Sequence, residues 1–383
     1  MMVVFPNYAA QREDDTVRLE PSHALLFDPL TSALPAVGVA AAVDVSSHRR
    51  ANRRLTNDHV RFIPLANVHS SAGKLKKLIA YVRMQAGIFR TVRKSGFCYI
   101  YLPGHVGLGA CIQCLLLRRP YGIYLRGEWS LFTPRTLQWV HSLVFRNAQF
   151  VLCTGVGLTK ETARLNPRCE CVVPMSSLLL KKPPSGPARS GTRASRVLFV
   201  GELVREKGVY ELLDALALIE GREAGTASLS VVGVGPERAS LERYVEQRGI
   251  AARVRFHGFI DDADRMAELY STHDIFCLPT YTEGFPRVLY EAMSHGLPVV
   301  TTHVGQIGTV VRDNVNGLFV EVRSAEDVAE KITALIHDPL LRRRLGEGGG
   351  ATMEGMLDGW RGSTHGDQVL RWLRQSGVEL CAT

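Results

Sequence analysis

Between Val197 and His337, short β-branched runs alternate with helical patterns, and no other feature constrains the fold as tightly. Strands are predicted at Val197–Val200, Leu229–Val232, Val254–His257, Ile275–Leu278, Val299–Thr302 and Leu318–Val320. Helices are predicted from about Gly208 to Ile219, over Pro236–Gln247, around Ala263–Tyr270, near Val288–His295 and over Ala325–His337. Apolar strands spaced by helices need cover on both faces, which gives a parallel, doubly wound sheet. The first half repeats this order less clearly. Val39–Val45, Cys98–Leu102, Gly122–Leu125 and Phe150–Cys153 read as strands, and Leu75–Val92, Gly107–Leu117 and Leu137–Arg146 as helices.

At 383 residues the chain exceeds one ordinary domain. The expected fold is α/β, with two Rossmann-like doubly wound parallel-sheet domains facing a cleft. Lys181–Arg196 is rich in Pro, Gly, Ser and charge and has no apolar period, so it reads as a linker. The expected divisions are residues 1–180, the linker 181–196, and a second domain over 197–350. A helical segment over 351–383, carrying Val369, Leu370, Trp372 and Leu373, is expected to pack back on the first domain.

Hydrophobic residues at 46% and charged residues at 22% exclude a disordered chain. The most apolar run, Val106–Leu117, is closed by Arg118 and Arg119, short of the ~20 residues a membrane span needs. Met1–Tyr8 lacks the basic-then-apolar layout of a signal peptide, so a cytoplasmic location is expected, with peripheral attachment to the inner face of a membrane as an option. Cys111 and Cys114 form a C-x-x-C without a second ligand pair at zinc-like spacing. Inside an apolar stretch they read as core thiols ahead of a metal or redox site. The net charge of +9 divides into +17 for residues 1–196 and −8 for residues 197–383. A basic field confined to one half suits an anionic partner such as membrane headgroups, a lipid diphosphate or nucleic acid. Lys74–Lys94 concentrates this character: seven Lys and Arg residues accompany Leu75, Leu78, Ile79, Val82 and Phe89. It reads as a solvated helix packed on the sheet or as a membrane-surface helix.

Four features of the second half fall at strand ends, where open α/β sheets bind ligands. In Val200–Gly208 a strand runs through Gly201 and Arg205 into a helix start, and Lys207 there suits a phosphate. Gly233-Val234-Gly235-Pro236 lacks the x-x-Gly of a dinucleotide fingerprint and reads as a tight turn. Phe256-His257-Gly258-Phe259 allows close approach to the backbone at Gly258. The fourth feature, Tyr281 to Val300, places Glu283 before Gly284-Phe285-Pro286 and Glu291 eight residues later. Two carboxylates on one side of a helix start can accept several sugar hydroxyls. On spacing alone, a capping Glu283 with an unrelated surface Glu291 is an equal reading.

Glu283-Gly284-Phe285-Pro286 followed by Glu291 resembles the E-x7-E signature of retaining glycosyltransferases with the GT-B fold, glycosyltransferase family four in particular. The likeness extends through Gly296-Leu297-Pro298-Val299-Val300, Gly305 and Asn316-Gly317-Leu318, and covers roughly residues 197–345. It implies transfer of a sugar from a nucleotide diphosphate sugar to an acceptor hydroxyl, with retention and without a bound metal or other cofactor. It implies that Glu283, Gly284, Phe285 and Pro286 hold the donor sugar, Glu291 the ribose, Lys207 the diphosphate, and the stretch after Gly258 (Phe259 among it) the base. The acceptor is expected to be a glycan or lipid-linked glycan of polysaccharide or glycolipid biosynthesis. Nucleic acid is not an expected partner, since the basic half lacks aromatic interleaving.

Two departures from the family pattern stand out. Glu202 occupies the position where relatives often carry Arg, for which Arg205 is a candidate substitute, and residues 1–95 lack the Gly-rich loop frequent after the first strand. Many relatives carry His-Gly where this chain has Arg126-Gly127. Arg126 is expected to support the donor phosphate, or to pair with Glu128, and His105, in Pro103–Gly109, is a weaker catalytic candidate. These departures keep two other readings open, a sugar-nucleotide epimerase or hydrolase on the same fold and a non-catalytic sugar-nucleotide-binding subunit.

Overall fold

The computed structural model describes residues 1–6, 10–13, 16–19, 24–44, 53–54, 60–68, 73–126, 138–172, 195–284, 287–358 and 363–378. The chain forms two compact units, Met1–Met175 with Ser363–Thr383, and Ser176–Gly362.

The first unit contains strands β1 (Met2–Phe5), β2 (Ala10–Glu13), β3 (Thr16–Leu19), β4 (Val37–Asp44), β5 (Arg53–Arg54), β6 (Val60–Leu65), β7 (Phe97–Leu102), β8 (Tyr121–Leu125), β9 (Val151–Thr154) and β10 (Cys169–Val172). Its helices include α1 (Ala24–Ala33), α2 (Lys74–Lys94), α3 (His105–Leu116), α4 (Gln138–Asn147) and α5 (Val156–Ala163). Seven strands run parallel in the order β10-β9-β8-β7-β1-β4-β6. The strand order reverses at β1, so the first strand is Met2–Phe5 and not Val39–Val45 as the sequence reading had it. Four residues at the chain start carry too little pattern to register as a strand. An antiparallel ribbon, β2 with β3 and β3 with β5, extends the sheet beyond β4.

Alternation along the strands builds two different cores. Val3, Phe5, Cys98, Ile100, Leu102, Ile123 and Cys153 face a layer formed by α2, α3 and α4 through Met84, Ile88, Val92, Cys111, Cys114 and Phe145. Cys111 and Cys114 are fully buried there, and burial pushes the Cys111 thiol up. Met2, Val4, Phe97, Tyr99, Tyr101, Tyr124 and Phe150 face the opposite, largely aromatic core.

The second unit has strands β11 (Ser195–Val200), β12 (Ala227–Val232), β13 (Val254–Gly258), β14 (Ile275–Leu278), β15 (Val299–Thr302) and β16 (Gly317–Val320). They are all parallel, in the order β13-β12-β11-β14-β15-β16. The helices are α6 (Val209–Arg222), α7 (Arg238–Gln247), α8 (Ala263–Thr272), α9 (Arg287–Ser294), α10 (Ala325–His337) and α11 (Pro339–Asp358). Asp262 caps α8 through the backbone N–H groups of Asp264 and Arg265, and Ser324 caps α10 through Asp327. β11 starts at Ser195, two residues inside the expected linker, whose remainder lies outside the described residues.

Helix α11 crosses the expected boundary at residue 350. Its Gly346–Gly350 region is a packing face. A β-carbon at Gly346 would run into the carbonyl oxygen of Gly296, and one at Gly348 into that of Val315.

The last helix, α12 (His365–Gln375), belongs to the first unit. A capping box of Thr364 and Asp367 starts it. Val369, Leu370 and Leu373 enter the aromatic core, His365 Nε2 lies 2.6 Å from the Tyr99 hydroxyl, and Trp372 stacks on Phe150.

Candidate functional site

β11 and β14 lie side by side at the point where the order of the second sheet reverses, and ligands of such sheets bind beyond the carboxyl ends of these strands. From β11 the chain runs through Gly201 and a 3-10 turn, Arg205–Lys207, into α6; from β14 it runs through Pro279 to Gly284. The two loops are joined closely. The Tyr281 N–H donates to the Glu206 carbonyl at 2.8 Å, and the Thr280 hydroxyl lies 3.0 Å from the same oxygen. Gly208 takes φ 70° and leaves no room for a β-carbon against the Pro279 carbonyl. In this setting Lys207 Nζ meets Glu283 Oε2 in a close ion pair, with side chains 23% and 13% exposed.

The neighbouring loops converge on the same place. The Thr302 hydroxyl donates to the Thr280 carbonyl at 2.6 Å, and Gly305, at φ 54°, seats its backbone against the Glu283 carbonyl. Gly201 N–H donates to the Val232 carbonyl at 3.0 Å, and Gly233 N–H to the Gly258 carbonyl at 2.8 Å. Gly201, Lys207, Gly258 and Glu283 thus all sit at the carboxyl edge of this sheet, Gly284 follows Glu283, and Phe259 is 46% exposed just beyond β13. Phe285 and Pro286 lie outside the described residues.

A rim of aromatic and basic groups supports the loops. The Tyr281 hydroxyl donates to Glu211 at 2.5 Å, and the Arg323 guanidinium covers the Tyr281 ring at 4.8 Å. Burial and the Glu211 carboxylate push the Tyr281 hydroxyl up to about 12. Exposed Arg205 lies 4.8 Å over the ring of Tyr210, whose hydroxyl donates to Glu237 at 2.6 Å. Arg205 is therefore on the loop that carries Lys207, held against an aromatic face.

Helix α9 begins at Arg287, so Glu283 stands on the preceding loop. Glu291 is on the helix itself, so the loop position expected for Glu283 and the helical position expected for Glu291 are the ones observed. Glu291 accepts a hydrogen bond at 2.8 Å from Tyr270 of α8. Tyr270 is fully buried, and burial first, then the Glu291 charge, raises its hydroxyl well above the ordinary tyrosine range. The His295 ring stacks on Tyr270 with centroids 5.3 Å apart. Sequence reasoning missed Tyr270, Thr280, Glu211 and Arg323. Their partners are distant in sequence, and no local pattern marks them.

In the first unit, Arg126 N–H donates to the Leu102 carbonyl at 2.8 Å, which sets Arg126 at the carboxyl end of β7, next to the central β1. His105 is the exposed first residue of α3, three residues beyond the same strand end. Gly127, Glu128 and Trp129 lie outside the described residues, including the Glu128 partner considered for Arg126.

Comparison with known proteins accords with this geometry. The chain is 29% identical over 224 residues to the lipopolysaccharide core biosynthesis glycosyltransferase LpsE of Rhizobium meliloti, covering 56% of this chain and 61% of that protein. It is 32% identical over 183 residues to the D-inositol 3-phosphate glycosyltransferase of Rhodococcus opacus, covering 45% of this chain and 41% of that one. The match thus spans less than two thirds of the length of these relatives. Anabaena Alr3699/HepE, solved in complex with UDP-glucose, has the same fold over 98% of this chain and 100% of its own, with a TM-score of 0.68 and 19% identity. The fold is therefore the α/β fold of two Rossmann-like units found in GT-B glycosyltransferases. The family model described as glycosyl transferases group 1 matches residues 188–351, which contain Gly201, Lys207, Glu283 and Glu291. Over that stretch the chain is similar to the group 1 glycosyl transferases.

Proposed function

We propose that the protein is a retaining, metal-independent glycosyltransferase that moves a sugar from a UDP-sugar to an acceptor hydroxyl in polysaccharide or glycolipid biosynthesis. The observation that carries this reading is the Lys207–Glu283 pair at the carboxyl ends of β11 and β14. A cation beside the start of α6 suits a diphosphate, and a carboxylate next to it suits sugar hydroxyls. In this reading Lys207 exchanges Glu283 for the donor diphosphate, and Glu283 turns to the sugar. The C1–O bond to the β-phosphate breaks, and the acceptor oxygen bonds C1 on the same face. Its proton passes to the departing phosphate oxygen. Lys207 and Arg205 supply positive charge toward the leaving group, the role a metal plays in other transferases. The uridine base is supported by the UDP-glucose complex of the HepE relative.

A thermal-shift series with UDP-, GDP- and ADP-sugars tests the reading. UDP-sugars raise the midpoint of the native chain by mass action, and Glu291→Ala loses that rise. Stabilisation by GDP- or ADP-sugars instead would refute the choice of base. A free-sugar product formed without acceptor would replace transfer by hydrolysis. Arg126→Ala tests the separate expectation that Arg126 supports the donor phosphate: it lowers turnover, and unchanged kcat and donor KM would overturn that expectation.

A further inference from the structure

Of the fifteen large apolar side chains exposed among the described residues, ten lie on α2, α3 and α4. All three helices cover the same face of the first sheet, since their inner residues share one core. Each buries one side and exposes apolar residues on another. On α2 the buried stripe is Ala80, Met84, Ile88 and Val92. Leu75 (70% exposed), Leu78 (59%), Val82 (60%) and Phe89 (43%) fall within a ~60° arc away from that stripe at ~100° per residue. The leucines and valine that the sequence offered for packing on the sheet are thus outside. Helix α3 exposes Ile112 and Leu116 four residues apart, and α4 exposes Trp139 and Leu143 at the same spacing.

The charge on this layer has one sign. No Asp or Glu occurs in α2, α3 or α4. Seven Lys and Arg residues stand on α2, Arg146 on α4, and Arg118 with Arg119 directly after α3. Scattered surface leucines are ordinary, but an apolar group concentrated on one layer and flanked only by cations is not. An acidic nucleic acid would use the cations and leave Leu75, Leu78, Val82 and Leu116 in water. An anionic lipid surface uses both, the side chains entering the acyl boundary and the cations meeting the headgroups.

We propose that the outer face of α2, α3 and α4 docks the first unit on an anionic lipid bilayer. No helix among the described residues is long and apolar enough to cross a membrane, so the contact is interfacial. The proposal is independent of the donor chemistry, and its assay reads no sugar transfer.

The test is flotation of the full chain with phosphatidylcholine vesicles and with phosphatidylcholine–phosphatidylglycerol vesicles. The native protein floats with the anionic vesicles and stays behind with the neutral ones. Lys76→Glu with Lys77→Glu reduces partitioning roughly fivefold for each cation lost, and further for each charge reversed. Leu78→Glu with Val82→Glu reduces it by at least ~10-fold. Both pairs are exposed, and an unchanged thermal midpoint shows that the variants fold. Equal flotation with both vesicle types, or variants that float like the native chain, overturns the proposal. So does a concentration-dependent doubling of mass that Leu78→Glu with Val82→Glu abolishes, which would assign the face to a second copy of the chain.

Discussion

Lys207 and Glu283 offer a direct test of whether the loops after β11 and β14 act as one unit. Two unit charges ~3 Å apart attract by about 5 kcal/mol at an effective dielectric near 20. Withdrawing each fully from water costs several kcal/mol. With side chains 23% and 13% exposed, most of both effects is present, so the pair contributes little net while losing one partner is costly. Lys207→Met leaves a mostly buried carboxylate uncompensated, and Glu283→Gln leaves an ammonium; each costs about 2–3 kcal/mol. The double substitution costs only about 2 kcal/mol, which gives a coupling of about 3 kcal/mol. Urea unfolding of the four proteins measures it through the shift in midpoint at constant slope. Single costs that add within ~0.5 kcal/mol would refute the pairing. The same proteins separate structure from function. UDP affinity falls in Lys207→Met and holds or rises in Glu283→Gln, where the lysine is released; a parallel loss in both would refute the exchange of partners.

Two further outcomes follow from named contacts. Gly305→Ala places a β-carbon at φ 54° against the Glu283 carbonyl. It costs about 1–2 kcal/mol for the backbone and about 1–3 kcal/mol for the contact, seen as a lower melting temperature with weaker UDP-sugar binding; an unchanged midpoint would contradict it. His273 is 6% exposed, and burial lowers its imidazole to about 4. The unfolded chain protonates it near pH 6.5 and the folded chain does not. Stability is therefore full above that pH and falls by about 3 kcal/mol toward pH 4. His273→Gln flattens this part of the denaturation profile, and a profile as steep as the native one would exclude His273 as its source.

The second unit was legible in the sequence because each strand is a short apolar run between turn signals, and Ile275–Leu278 and Val299–Thr302 stand where those runs place them. The first unit was less so. β1 has four residues, and β6 carries Pro64 and an outward-facing arginine, Arg61. Helix α11 was hidden by glycines that mark close packing to Gly296 and Val315. In the site, Lys207 and Glu283 were marked by their place after strands, whereas the Tyr270–Glu291 bond joins different helices and has no local signature.

Helix α12 has a consequence for synthesis. Its Val369, Leu370 and Leu373 fill the aromatic core begun by Met2 and Val4, so the first unit waits on the ribosome for residues translated only after the whole of the second unit. Nascent chains usually complete their domains in the order they emerge; here the 176–362 unit can finish first. Until then Tyr99, Tyr124 and Phe150 lack the cover that His365 and Trp372 provide, and that aromatic face of the sheet stays open to water.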